Sequence, residues 1–452
     1  MSLRANRLAP GQYTRRFAEL KPALSRGEQR AESNRCLYCF DAPCTKACPT
    51  HIDVPLFIKQ IASGNLRGAA HTILEANPLG GSCARVCPVE ILCEGACVLN
   101  AHEQRPIAIG RLQRVATDAA LVEHWPLFTS KPAGELRVAI VGAGPAGLSC
   151  AVKLAREGVR VTLFEREEVA GGLMVDGVAA YKVTEEFCRQ EMDFLCAHPN
   201  IQLAFGHELG RNLELQTLRE DHDAVFLAFG VGITEPLGIP GEDAEGVVDA
   251  LAFINRIRRT PLDSVPVGEK VVVVGMGMTA IDAATQAKRL GAEVVTLVYR
   301  RTSEEKPCSD AELELALSDG CRIEWLAAPQ EIIATEGQVS ALICQRMRLE
   351  QDPAGGRARP VPTGETVTLE ADMVIRAIGQ RPYQRLLDQF GLHHDKGRLQ
   401  VGANGKTSMP GLFAGGDCVN GGKEVVDAVQ AGKLAAVGIL EYLGREAARG
   451  EA

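Results

Sequence analysis

The sequence predicts an α/β protein built from two Rossmann-like dinucleotide-binding domains, one inserted in the other, behind an α-helical, cysteine-rich domain. Three observations predict it. VAIVGAGPAGLSCAVKLAREGVRVTLFER, from Val138, reads as strand, glycine loop, helix and second strand. VVVVGMGMTAIDAATQAKRLGAEVVTLVYRR, from Val271, repeats that plan. Ahead of both, eight of the fifteen cysteines fall between Cys36 and Cys97.

The chain of 452 residues is too long for one hydrophobic core, and its 46% apolar and 23% charged content suit a globular protein. A net charge of −8 argues against nucleic acid as a partner. No long apolar window marks a membrane span and no secretory leader opens the chain, so a cytoplasmic location is expected. The opening MSLRANRLAPGQYTRRFAELKP, without acid until Glu19, reads as a solvated or partner-contacting arm.

In chain order, residues 1–132 hold short helical stretches such as VPLFIKQIASGNLRGAAHTILEAN and IGRLQRVATDAALVEHW, with the clustered cysteines between or beside them. TSKPAGE is a linker, and LRVAIVGAG opens the first nucleotide domain, expected over 133–262 and 375–452. The second, over 263–374, interrupts it. ADMVIRAIG, TSMPGLFAGGDC and a closing helix are read as the return to the first domain.

In the first loop Gly142 makes the tight turn, Gly144 lets backbone approach a pyrophosphate, and Gly147 permits close helix packing. The helix N-terminus favours phosphate charge. Glu165, at the end of the next strand, can accept a hydrogen bond from a ribose hydroxyl. The second loop has Gly275, Gly277, Thr279 and Ala280, so a nicotinamide nucleotide is its expected ligand. Tyr299 stands where Glu165 would, followed by Arg300 and Arg301. Losing the acid and gaining two cations favours a 2′-phosphate, hence NADP(H) over NAD(H); the plainer reading is a solvated strand end.

Short spacings of cysteine let one loop wrap an iron–sulfur cubane. Cys36-x₂-Cys39-x₄-Cys44-x₃-Cys48-Pro49 resembles the bacterial ferredoxin run, with a middle gap of four rather than two. In that run the last cysteine serves the other cluster. SCARVCPVEILCEGACVLN adds Cys83, Cys87, Cys93 and Cys97. Two [4Fe–4S] clusters are expected, with structural zinc as the alternative. The scattered Cys150, Cys188, Cys196, Cys308, Cys321, Cys344 and Cys418 read as packing residues.

DHDAVFLAFGVG and TSMPGLFAGGDC resemble two further segments of two-dinucleotide flavoproteins, which makes FAD the expected ligand of the first loop and Asp417 a contact. Phe229 departs from the first segment's pattern. CLYCFDAPCTKACPTHIDVPLFIKQIA, NPLGGSCARVCP, CEGACVLN and PIAIGRLQ closely resemble the N-terminal half of the dihydropyrimidine dehydrogenase family and, less closely, the small subunit of glutamate synthase. Carried over, that resemblance implies Cys36, Cys39, Cys44 and Cys97 on one cluster. It implies Cys48, Cys87, Cys93 and the side-chain oxygen of Gln113 on the other, where spacing alone would choose Cys83. It implies FAD contacts at Gly142, Ala143, Gly144, Pro145, Glu165, Gly172, Leu173 and Asp417, with Lys182 near the flavin.

The resemblance implies a hydride passing from NAD(P)H to FAD, then single electrons through the clusters. Their destination would be a partner FMN and iron–sulfur subunit, in a hetero-oligomer that reduces uracil or thymine to 5,6-dihydropyrimidines. The chain ends at Ala452, where the full-length family continues into the FMN barrel, so an electron-input subunit is expected. The bacterial enzyme of that split type is NAD-dependent, against the reading of Arg300 and Arg301. No general acid or base is expected, because hydride transfer needs positioning. The alternatives are a glutamate synthase small subunit, a ferredoxin- or sulfur-linked reductase, and a non-catalytic assembly protein.

Overall fold

The computed structural model describes residues 3–102, 104–232, 234–351 and 356–444. They pack as two units, one from residues within 1–20, 176–181 and 233–381, the other from 21–175, 182–232 and 382–452. The α/β class expected from the glycine loops holds: two parallel sheets, each with a glycine loop leaving its central strand.

The larger unit begins with helices Arg26–Asn34, Pro43–Lys46, Val54–Ala62, Leu66–Ala76, Gly80–Val86 and Ile109–Val122. Their starts are written in the sequence. Ser25 and Glu28 exchange a capping box, Asp53 accepts from Leu56 N at 3.0 Å, and Asn65 accepts from Gly68 N at 2.9 Å. Phe57, Ile58, Ile73 and Leu112 form a core against which five of the clustered cysteines pack.

The first sheet has β1 (Arg137–Val141), β2 (Arg160–Glu165), β3 (Ile201–Phe205) and β4 (Ala224–Leu227). The second has β5 (Val247–Asp249), β6 (Lys270–Val274), β7 (Val294–Tyr299) and β8 (Arg322–Trp325). An antiparallel sheet follows, of β9 (Ala327–Thr335), β10 (Gln338–Glu350) and β11 (Arg359–Glu370), which the sequence reading did not foresee. Then come β12 (Met373–Arg376), the hairpin β13 (His394–Asp395) and β14 (Arg398–Leu399), and β15 (Leu412–Ala414). The parallel orders are β15-β4-β1-β2-β3 and β5-β12-β6-β7-β8.

Two expectations are corrected by this pairing. β5, the helix Ala250–Arg259 and β12 were assigned wholly or partly to the first nucleotide domain. Yet β12 pairs with β6 and β5, within the second sheet. A parallel strand buried on both faces is an apolar run without alternation, so its sequence does not say which sheet it joins. The N-terminal arm is also only partly solvated. Tyr13 is buried in the second nucleotide domain's core, with Leu3, Leu8 and Phe17 against it, and Arg4 bridges to Val267.

Of the scattered cysteines, six are buried and Cys196 is half-buried. Among the described residues no helix is long and apolar enough to cross a membrane.

Candidate functional site

Cys36, Cys39, Cys44 and Cys97 line one cavity, walled by Pro43, Ile58, Leu99 and Ile109. The loop that brings three of them together reverses at Tyr38, whose φ of +51° is the left-handed region that bulky residues rarely adopt. Pro43 then starts the short helix Pro43–Lys46, which places Cys44 on the cavity and carries Cys48 past it. Burial pushes the Cys44 thiol up to about 11 and raises Cys36 as well. Binding iron at Cys36 and Cys44 therefore has to expel their protons.

Cys48, Cys83, Cys87, Cys93 and Gln113 line a second cavity, with Ile52, Val89, Leu92 and Val426. Gln113 is buried on the helix Ile109–Val122, and its amide nitrogen donates to the Gly80 carbonyl at 2.6 Å. The side-chain oxygen is therefore the atom left to face the cavity. Cys83 lies beside Cys87, whose thiol is pushed up by a hydrogen bond to Cys83 and by burial. Both candidates for an eighth ligand thus stand at the same wall.

The chemistry of each donor set, soft thiols around an apolar space, fits an iron–sulfur centre. Among the described residues no group of three His, Cys, Asp or Glu side chains could hold a single metal ion.

Glu191, from the helix Glu185–Cys196, stands behind the second cavity. It accepts from Ser82 N at 3.0 Å and from the Ser82 hydroxyl. Burial pushes its carboxyl from 4.5 up to about 7, against the opposing pull of those bonds. Protonation is thus easier in the folded state than in the unfolded one. Its contribution to stability is intact below pH 4.5 and falls by on the order of 3 kcal/mol as pH rises to about 7. Glu191→Gln is expected to raise the melting temperature at pH 8 and to leave it near wild type at pH 4.5. Thermal denaturation at both values checks this.

The first glycine loop runs from β1 into the helix Pro145–Arg156. Gly142 has φ +105°, and a Cβ there would fall 2.4 Å from the Ala228 carbonyl. The segment after β4 therefore runs against the loop, although Phe229 broke its expected pattern. At Gly144 the nearest neighbour of a Cβ would be Gly172 Cα at 4.0 Å, so the helix N-terminus opens onto free space. Glu165 is buried and accepts from Ala143 N at 2.8 Å and Glu167 N at 3.0 Å. These bonds fix the carboxylate and leave lone pairs for ribose hydroxyls.

Asp417 starts a short helix after β15, where Lys423 N donates to it at 3.3 Å and burial raises its carboxyl. The preceding Gly416 has φ +77°, and its Cβ would lie 2.9 Å from Ala146 Cβ. Asp417 is thereby held at the same helix N-terminus as Gly144, Pro145 and Gly172. Leu173 is 38% exposed and Lys182 half-buried. Two neighbours escaped the sequence reading: Arg166 donates to the Tyr383 hydroxyl at 2.8 Å, and the Tyr383 ring meets Phe229 edge-on. The only signal for Arg166 was its place after Glu165.

In the second loop Gly275 has φ +138° and Gly277 has nothing within 4 Å of a Cβ. Gly277 caps the helix Met278–Arg289, with Thr279 half-buried and Ala280 fully buried. At the end of β7, Arg300 is exposed and Arg301 donates to the Ala358 carbonyl. Arg357, which sequence reading missed, donates to the Tyr299 hydroxyl at 3.2 Å and to the Glu305 carbonyl. A turn before β11 has no local pattern that would announce it.

Two nucleotide loops on parallel sheets, with a cysteine-lined helical domain, define an NAD(P)-dependent flavin and iron–sulfur oxidoreductase. Residues 136–432 match the pyridine nucleotide-disulphide oxidoreductase family, and the chain belongs to it. Residues 13–125 match the dihydropyrimidine dehydrogenase domain II, 4Fe-4S cluster, family. The glutamate synthase [NADPH] small chain of Escherichia coli is 34% identical over 446 residues, covering 94% of each chain. The NAD-dependent dihydropyrimidine dehydrogenase subunit PreT of the same organism is 35% identical, covering 94% of this chain and 97% of the relative. Putative oxidoreductase AegA, also from Escherichia coli, is 36% identical over 95% of this chain and 68% of its own. The fold is shared with FprA from Mycobacterium tuberculosis in complex with NADPH, at TM-score 0.59 and 21% identity over 70% of this chain and 85% of that one.

Proposed function

We propose that this chain is the electron-input subunit of a hetero-oligomeric reductase of the dihydropyrimidine dehydrogenase type. Its partner would be an FMN and iron–sulfur subunit that reduces uracil or thymine to the 5,6-dihydropyrimidine. The observation that carries this reading is the partition of candidate ligands between two cavities: Cys36, Cys39, Cys44 and Cys97 line one, and Cys48, Cys83, Cys87, Cys93 and Gln113 line the other. It supports two [4Fe–4S] clusters beside one flavin site, which is an electron-splitting arrangement. When bound, FAD takes a hydride from NAD(P)H and the clusters pass electrons on singly.

The residues supply position and dryness. Gly142, Ala143, Gly144 and Pro145 present the helix N-terminus to a pyrophosphate, and Glu165 orients a ribose. Gly172, Leu173, Lys182 and Asp417 complete the FAD site, while Gly275, Gly277, Thr279 and Ala280 bind the nicotinamide nucleotide. Val426 lines the second cavity from the helix Val425–Tyr442, which starts soon after Asp417. That continuity supports the second cavity as the first to receive electrons. No residue needs to move a proton at the flavin for this transfer.

Arg300, Arg301 and Arg357 around Tyr299 support a 2′-phosphate, hence NADPH. This is the observation that favours the second reading, a glutamate synthase small chain, since the PreT relative is named NAD-dependent and the glutamate synthase relative NADPH-dependent. Anaerobic bleaching of the visible spectrum by NADPH and by NADH tests the nucleotide choice. Arg357→Ala is expected to cut kcat/KM for NADPH about 10- to 100-fold, the worth of one charge-assisted hydrogen bond, and to leave NADH unchanged. Equal losses with both nucleotides would refute a 2′-phosphate contact. Co-purification with an FMN protein that reduces uracil supports the first reading; a glutaminase-bearing partner supports the second.

A further inference from the structure

The helix Val425–Tyr442 does more than close the flavin domain. Val426 lines the second cysteine cavity, and Lys433 stands seven residues on, two turns along the same helix face. The Lys433 ammonium donates to the Thr50 carbonyl at 3.4 Å and to the Ala76 carbonyl. Both acceptors flank the cavity wall: Thr50 follows Cys48 and Pro49, and Ala76 precedes Asn77, all three of which line the cavity. The Thr50 hydroxyl lies 3.3 Å from Cys48 Sγ.

This cation is poorly compensated by protein. Its hydrogen bonds go to neutral carbonyls, and Glu75, an acid that acts on it, is paired with Arg156 at 2.9 Å. Lys153 adds a like charge, and burial already makes the ammonium easier to deprotonate. A desolvated cation persists in a fold when something negative is near it. Behind Thr50 that negative charge would be supplied by an iron–sulfur centre on Cys48, Cys87 and Cys93. Gly432, the preceding residue, packs so closely on the flavin-loop helix that a Cβ would fall 2.1 Å from the Ala146 carbonyl. The ammonium is thus held on a rigid element.

We propose that Lys433 is a charge-tuning residue of the second iron–sulfur centre: clamped behind the Cys48 wall, its ammonium favours the extra negative charge of the reduced centre and so eases electron entry. The step adds one electron, supplied by NAD(P)H through the flavin, and makes or breaks no bond. The proposal rests on the two-cluster reading above.

The test is a potentiometric titration of the holoprotein, followed by electron paramagnetic resonance, on wild type, Lys433→Gln and Lys433→Arg. Lys433→Gln keeps a donor and loses the charge; Lys433→Arg keeps the charge. The expected result is a shift of at least about tenfold in the second centre's reduction equilibrium toward the oxidised form in Lys433→Gln, equal to about 59 mV for one electron. Lys433→Arg should stay within about threefold of wild type, and the first centre should not move in either. A wild-type potential in Lys433→Gln, or an equal shift in Lys433→Arg, overturns the proposal. Iron analysis of the same samples separates the failures: wild type with iron for one cluster refutes the two-cluster reading, not the role of the charge.

Discussion

Cys93→Ser is expected to lower the iron content from about eight to about four atoms per chain, the loss of one [4Fe–4S] centre. The flavin should remain bound and should still be bleached by reduced nucleotide, because the cavity that Cys93 lines is walled by residues outside the flavin loop 142–147. Electron delivery to any acceptor beyond the clusters should fall by more than about 100-fold, past the upper range for losing a merely supporting contact. Burial is the reason the effect is large. Cys93 sits in an apolar wall with Leu92 and Val89, and that burial raises its thiol strongly. A serine hydroxyl there is a harder donor to deprotonate than the thiol it replaces. Full iron occupancy in Cys93→Ser would remove Cys93 from the ligand set. Running Cys83→Ser and Gln113→Ala beside it decides which of those two stands as the eighth ligand.

The contrast between Cys93 and Cys48 shows what the sequence could and could not say. The ferredoxin-like spacing of the first run, ending in Cys48-Pro49, already sends Cys48 to the other cluster, but it does not say which downstream residue takes its place. In the fold Cys48 and Cys97 change places. That exchange follows from how the chain turns after Cys44 and again before Val98, which spacing does not encode. Spacing supplied the departure of Cys48; family resemblance supplied Cys97 and Gln113. The glycine loops were legible because their geometry is local: a turn, a close approach and a helix start lie within six residues. Lys433 with Thr50, Glu191 with Ser82, and Arg357 with Tyr299 were not, since each joins segments far apart in the chain and each side chain is ordinary in its own neighbourhood. β12 was misplaced for a related reason: an apolar run predicts a buried strand but not its neighbours.

Gly147→Val should abolish flavin binding, and with it the absorbance of oxidised flavin in the purified protein. A Cβ on Gly147 would lie 1.9 Å from the Gly142 carbonyl oxygen and 3.3 Å from Ile140 Cγ2. Neither obstacle can swing aside: one is backbone, the other belongs to the central strand β1. The loop cannot yield in the opposite direction either, because a Cβ at Gly142 would already fall 2.4 Å from the Ala228 carbonyl. Helix Pro145–Arg156 would have to lift from β1, exposing Leu148, Cys150 and Leu154 and losing its contact at Gly432. Burying large groups where no space exists typically costs 1–3 kcal/mol even in adaptable cores. The second loop makes the control. Ala280 occupies the matching place and is fully buried, so that loop already accommodates a Cβ. Gly277, with nothing within 4 Å, can take one without strain on the fold. Gly277→Ala should therefore keep its flavin and lose affinity for the nicotinamide nucleotide alone, where the added methyl meets the pyrophosphate. Flavin retention in Gly147→Val, or flavin loss in Gly277→Ala, would reverse the assignment of the two loops.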